Sequence, residues 1–191
     1  MSAEPLTWST GAMTPAGLAV VCAEVSAREH PTVVECGSGF STLRLAELIH
    51  ERAGRLVSLE HDAAWAARVR DALAAAGFAE TARVVLAPLE PHPLARDGLP
   101  WYAQHALRSL PQHIDVLLVD GPPAFDPGTG LSRYPALPVL ADRLAPDAVV
   151  LLDDIDRHGE REIAQAWERD TEFGFELLAA ERLARGGRAR L

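Results

Sequence analysis

Short apolar runs alternate along the chain with stretches in which apolar positions recur every three or four residues, the pattern of strands joined by crossover helices in a mostly parallel sheet. Thr14 followed by Pro15 is a helix cap and first-turn pair, and Leu18, Val21, Cys22 and Val25 mark one face of an opening helix. Residues 33–36 form a short buried strand, and 41–53 a helix that Gly54 ends in the left-handed conformation. A second strand covers 56–60. Asp62 then caps a helix whose inward stripe is Trp65, Val69 and Leu73 and which ends at Gly77, before a third strand at 84–87.

From 88 to 112 prolines and a glycine interrupt the alternation, although 101–110 has the character of a short helix. This is an insert passing over the sheet edge. The near-continuous apolar run 114–120 is a central strand covered on both faces. A Pro/Gly-rich loop at 121–133 follows, then a helix from Pro135 to 144, a fifth strand at 148–152, a helix at 157–169, and a closing hairpin of 173–178 with 184–191.

A length of 191 residues fits one domain spanning 1–191, with 1–30 as an N-terminal helix and lid segment. The balance of 48% hydrophobic and 24% charged residues with two cysteines is that of a globular chain, and Cys22 and Cys36 read as reduced thiols. A net charge of −9 disfavours nucleic-acid partners. The basic tail, Arg182, Arg185, Arg188 and Arg190, reads as protection for a final edge strand. No secretory leader and no apolar run of membrane length is present, so the expected location is cytoplasmic, without a membrane partner.

The chemistry gathers at strand ends. The segment Glu35-Cys36-Gly37-Ser38-Gly39-Phe40-Ser41-Thr42 is a glycine-rich turn between the first strand and its helix, and Glu60 closes the next strand. Glycines let backbone amides approach a nucleotide, and an acidic residue roughly 20 positions on meets a ribose hydroxyl pair. Charge chooses among the adenosine cofactors. Thr42 stands where a dinucleotide fingerprint has a third Gly or Ala, and Glu35 beside the turn repels a pyrophosphate while suiting a sulfonium. S-adenosylmethionine is therefore the expected cofactor, with a nicotinamide or flavin dinucleotide and a purely structural glycine corner as alternatives.

With Glu35, Gly37 and Gly39 in this Glu-x-Gly-x-Gly order, the chain resembles the class I S-adenosylmethionine-dependent methyltransferases over nearly its whole length. The resemblance implies a doubly wound, Rossmann-like seven-stranded sheet of order 3-2-1-4-5-7-6 with the last strand antiparallel. It implies that Glu35 and the Gly37-Ser38-Gly39 backbone attend the methionine end of the cofactor, Glu60 the ribose, His61 the adenine, and Pro88, Leu89 and Glu90 the adenine edge, with Ser41 also among the cofactor-binding residues. Downstream, Asp120-Gly121-Pro122-Pro123, Arg133-Tyr134-Pro135 and Asp153-Asp154 with Arg157 and Glu160 are similar to a bacterial branch of that family.

In such a sheet the order reverses between the first and fourth strands, so the turns at Gly37 and Asp120 become neighbours and the acceptor enters between them. Asp120, Asp154 and His158 are the catalytic candidates, with Asp153 beside them, Arg157 as an orienter, and Asp120 also touching cofactor. His158 carries two readings, general base or solvated residue at a helix start. Asp120, Asp153 and Asp154 could together hold Mg²⁺, as in catechol-type O-methyltransferases. That type ends in Asn and lacks Gly-Pro-Pro, so no residue is assigned as a metal ligand. Trp101, Tyr102 and Trp8 read equally as acceptor-pocket walls or as packing. A small lid favours a small-molecule acceptor and O-methylation; the alternatives are a catalytically silent cofactor-binding module and an NAD-dependent oxidoreductase.

Overall fold

The computed structural model describes residues 12–189, so Trp8 and Arg190 lie outside the described residues. Helix α1 (Pro15–Ser26) begins where the Thr14 hydroxyl accepts the Gly17 N–H at 3.0 Å. Strand β1 (Thr32–Cys36) leads through the glycine turn into α2 (Phe40–His50), and β2 (Arg55–Glu60) into α3 (Ala63–Ala75), capped by Asp62 on the Trp65 N–H at 2.7 Å. After β3 (Ala82–Leu86) the insert forms an antiparallel ribbon, β4 (Leu89–Pro91) with β5 (Pro100–Tyr102), and a single helical turn, α4 (Gln104–Leu107). Then come β6 (Ile114–Val119), α5 (Ala136–Leu140) with a 3-10 turn over Ala141–Arg143, β7 (Leu144–Leu152), α6 (His158–Asp170), β8 (Phe173–Leu178) and β9 (Leu183–Arg188).

The main sheet has the order β3-β2-β1-β6-β7-β9-β8, which is 3-2-1-4-5-7-6 when only its own seven strands are counted, with β9 antiparallel to both neighbours. Because successive strand residues point to opposite faces, the central strands feed two separate cores. Val34, Cys36, Leu117, Val119, Val150 and Leu152 pack beneath α5, α6 and the insert, whereas Val33, Val116, Leu118, Val149 and Leu151 pack beneath α1, α2 and α3. Such two-sided burial explains why these strands read as continuous apolar runs. Both cysteines are free thiols. No helix among the described residues is long and apolar enough to cross a membrane.

Several local expectations are corrected. The left-handed residue after α2 is Ala53, at φ 49°; Gly54 is needed instead because a Cβ there would sit 2.4 Å from the Pro31 carbonyl oxygen. Trp101 and Tyr102 lie in a strand rather than a helix, since pairing with Leu89 and Glu90 outweighs local helical preference. The last strand is not an edge: β9 inserts between β7 and β8. The arginines of β9 and of the turn before it serve ion pairs, Arg182 with Asp154 and Asp156, Arg185 with Glu24, and Arg188 with Glu172.

Candidate functional site

The carboxyl ends of β1 and β6 meet at the point where sheet order reverses. Gly37 has φ 90°, and a Cβ on it would lie 3.0 Å from the Asp120 carbonyl oxygen. A Cβ on Gly121 would lie 2.9 Å from the Gly37 nitrogen and 2.6 Å from the Tyr102 hydroxyl. Only two glycines allow these turns to touch. Between and above them opens a cavity of about 460 Å³, bounded on one side by Ser38, Glu60, His61 and Trp65 and on the other by Tyr102, Asp120, Arg133 and Asp154.

On the first wall both carboxylate oxygens of Glu60 are engaged. Glu60 Oε2 accepts from the Ser38 N–H at 3.1 Å and the Ser38 hydroxyl at 2.8 Å, while Oε1 accepts from the Asp62 N–H at 2.9 Å and lies 3.0 Å from His61 Nδ1. Burial alone would raise the Glu60 pKa, yet the bonds from His61, Asp62 and Ser38 outweigh it and hold the group below the ordinary carboxylate value. The Trp65 indole N–H donates to the Ser38 carbonyl at 2.7 Å, fixing the ring over the glycine turn.

The second wall is built around one buried guanidinium. Arg133, 3% exposed, donates to the carbonyls of Pro122, Asp153 and Asp120, each at 3.2 Å. Its Nη2 also lies 3.1 Å from Asp154 Oδ2 and 3.4 Å from Asp120 Oδ1, and Nη1 lies 3.8 Å from Glu160 Oε1. Asp154, at φ 67°, is further held by Arg157 at 2.9 Å and Arg182 at 2.6 Å. Burial pushes Asp120 well above the usual carboxylate range against the pull of Arg133, and burial with the adjacent Asp154 charge pushes Asp153 up to about 6. Tyr102 Oη, Asp153 Oδ1 and Glu160 Oε2 are buried without a hydrogen-bond partner.

Of the residues expected from the sequence, the structure brings Gly37, Ser38, Glu60, His61, Asp120 and Asp154 to this cavity. Others do not reach it. Glu35 is fully buried beneath α2, where its carboxylate accepts from the hydroxyls of Ser41 at 2.6 Å, Thr42 at 2.7 Å and Ser58 at 2.5 Å. Burial raises its pKa, so the electrostatic role expected of it gives way to fastening the glycine turn to α2, with Ser41 and Gly39. Leu89 packs into the core beside the sheet, and Glu90 caps α4 by accepting the Gln104 N–H. The His158 side chain is 87% exposed at the start of α6, 3.8 Å from Glu162, and does not line the cavity. Trp101 is core, whereas Tyr102 is both core and cavity wall.

The sequence reading missed Arg133 and Trp65 as site residues. The available signal for Arg133 was an arginine followed by an aromatic-apolar stretch in a loop between two buried strands; for Trp65 it was an indole three residues past a cap next to Glu60. Phe125, 71% exposed at the cavity rim, gave no sequence signal.

Asp120, Asp153 and Asp154 each offer a carboxylate oxygen within 4.8 Å of the others. A divalent ion does not fit among them. Mg²⁺ requires oxygens at about 2.0–2.1 Å, and Arg133 already takes Asp120 and Asp154, while Arg157 and Arg182 complete the pairing of Asp154.

A family model described as a methyltransferase domain matches residues 34–155. No curated protein matches the chain. Among solved structures, an S-adenosylhomocysteine-bound methyltransferase from Podospora anserina is similar with a TM-score of 0.71 at 14% identity, covering 94% of this chain and 81% of that one. An O-methyltransferase from Bacillus cereus, also with S-adenosylhomocysteine, gives 0.68 at 16% identity, covering 95% and 84%. A precorrin-6y C5,15-methyltransferase from Geobacter metallireducens gives 0.66 at 17% identity, covering 96% and 92%.

Proposed function

This chain belongs to the methyltransferase-domain family and is a class I S-adenosylmethionine-dependent methyltransferase; from that premise we propose that it methylates a hydroxyl of a small-molecule acceptor held against Asp120. The observation that carries the reading is the contact of the Gly37 and Gly121 turns, which sets the Glu60 wall and the Asp120 wall across one cavity.

On this reading the cofactor lies along the first wall. Glu60 would hold its ribose hydroxyls, with the Ser38 and Asp62 backbone N–H groups keeping the carboxylate aimed. Trp65 and His61 border the adenine. S-adenosylmethionine bound there would supply an electrophilic methyl group on a sulfonium, its sulfur keeping the electron pair of the broken S–CH₃ bond, and Asp120 would accept the proton of the methylated hydroxyl. A carboxylate raised by burial is the stronger base for that step. Asp154 is a positioning residue, locked by three arginines. The cavity size supports a small acceptor, and the net charge of −9 disfavours a nucleic-acid partner.

The test is calorimetry with S-adenosylhomocysteine, followed by methyl transfer to a panel of hydroxyl-bearing metabolites. Asp120→Asn is expected to retain S-adenosylhomocysteine binding and lose most of kcat. Stabilisation by NAD and by neither S-adenosyl compound would overturn the cofactor assignment; unchanged kcat in Asp120→Asn would overturn the base.

A further inference from the structure

We infer that Arg133 is the resident cation of the acceptor wall and occupies the place a divalent metal would need, so that this site assembles and works without metal. The inference rests on reading that wall as the acceptor side.

The guanidinium is surrounded by five oxygen contacts at 3.1–3.4 Å: the Pro122, Asp120 and Asp153 carbonyls and one carboxylate oxygen each from Asp120 and Asp154. Carbonyl and carboxylate oxygens converging from two strand ends are the donor chemistry of a hard cation. Here they are spread to match a planar fork rather than gathered round a sphere, at hydrogen-bond rather than coordination distance. A bare carboxylate cluster this deep would repel itself, and Arg133, with Arg157 and Arg182, supplies the compensating charge. A second cation in contact with Asp120 and Asp154 would lie against Arg133 and meet Coulomb repulsion with little water to screen it.

Arg133 also joins elements that the reaction must hold in register. Bonds to the Asp120 and Asp153 carbonyls bridge the ends of β6 and β7, and the bond to Pro122 holds the loop after β6. The guanidinium thereby orients Asp120 toward the cavity, beside Tyr102.

The test titrates Mn²⁺ into the full chain, with and without S-adenosylhomocysteine, following free Mn²⁺ by electron paramagnetic resonance. The wild-type chain is expected to take up no Mn²⁺ at millimolar concentration. Arg133→Met, which keeps the stem and removes the charge, is expected to gain at least a tenfold tighter site that disappears when Asp154→Asn is added. Arg133→Lys is expected to remain metal-free. Stoichiometric Mn²⁺ binding by the wild type that is lost in Asp153→Asn or Asp154→Asn would overturn the inference, as would a folded Arg133→Met that gains no site. Should Arg133→Met fail to fold, the wild-type titration alone decides. Calorimetry with S-adenosylhomocysteine reports separately on the cofactor wall, so failure of the metal-free inference and failure of the proposed function give different results.

Discussion

The two walls of the cavity handle buried acidity in opposite ways. Behind the cofactor wall, Glu35 is saturated by three hydroxyls, and on the wall Glu60 is saturated by two backbone N–H groups, a hydroxyl and a histidine. On the acceptor wall, the carboxylates of Asp120, Asp154 and Glu160 share one buried arginine, which also donates to the Asp153 backbone carbonyl, while Asp153 Oδ1 and Glu160 Oε2 have no partner. Saturation satisfies a buried carboxylate with close neighbours, whereas an acceptor left partnerless in a dry place carries a desolvation cost. The difference teaches how each wall balances its charge: the first by hydrogen bonds from close neighbours, the second largely through one arginine reaching from a loop.

The severest way to break the contrast is to remove Arg133. Arg133→Met leaves Asp120, Asp154 and Glu160 buried with far less compensation, and unfolding in urea should show a loss of about 3–5 kcal/mol, as for other buried ion networks with one partner deleted. A loss below ~1 kcal/mol would mean that the acceptor wall is not organised by this residue. Gly37→Ala strikes the seam between the walls. Its φ of 90° and the 3.0 Å approach to the Asp120 carbonyl predict about 1–3 kcal/mol of strain and a collapse of S-adenosylhomocysteine affinity, read by calorimetry.

Glu60→Gln probes the cofactor wall alone. Replacing a charged acceptor by a neutral amide should weaken S-adenosylhomocysteine by roughly 10- to 100-fold, on the scale of about 1.5–3 kcal/mol for a hydrogen bond to a charged group, and leave the acceptor wall intact. Unaltered affinity would remove Glu60 from the site.

The walls should also respond oppositely to pH. Asp153, pushed up to about 6, keeps a proton in the native state that the unfolded chain releases; its contribution to stability is full below the ordinary carboxylate range and is lost as pH rises to about 6. Glu60 is held below its ordinary value, so its contribution is full above that value and is lost as pH falls through the lowered one. Urea midpoints from pH 4 to 7.5 should therefore decline less steeply with rising pH in Asp153→Asn than in wild type; parallel curves would contradict the assignment. The smallest effect belongs to His158→Gln: its side chain stands in solvent, and kcat/KM should stay within a factor of two. A tenfold loss would return it to the site.

Much of the first wall was legible in the chain because its information is local. A glycine that must adopt positive φ, a strand before it, a helix after it and an acidic residue closing the next strand all lie within a short span of sequence. Glu35 was identified and its role was not, because the pattern cannot say whether a carboxylate at the end of a strand faces a ligand or three hydroxyls behind the turn. The hydroxyls of Ser41, Thr42 and Ser58 decide that, and Ser58 belongs to another strand.

The acceptor wall was legible only as a set of residue types. Asp120, Asp153 and Asp154 mark strand ends, but which cation compensates them depends on Arg133 reaching across from a loop and Arg182 from the β8–β9 turn. His158 sits four residues from Asp154, yet the helix start turns its ring outward. By itself the sequence determined the alternation of strands and helices, the order in which they form and the glycine seam, since these rest on periodicity and backbone freedom. Only the tertiary structure decided which buried charges meet, because a Coulomb interaction depends on distance in space and on the water excluded between groups, and neither is written in their spacing along the chain.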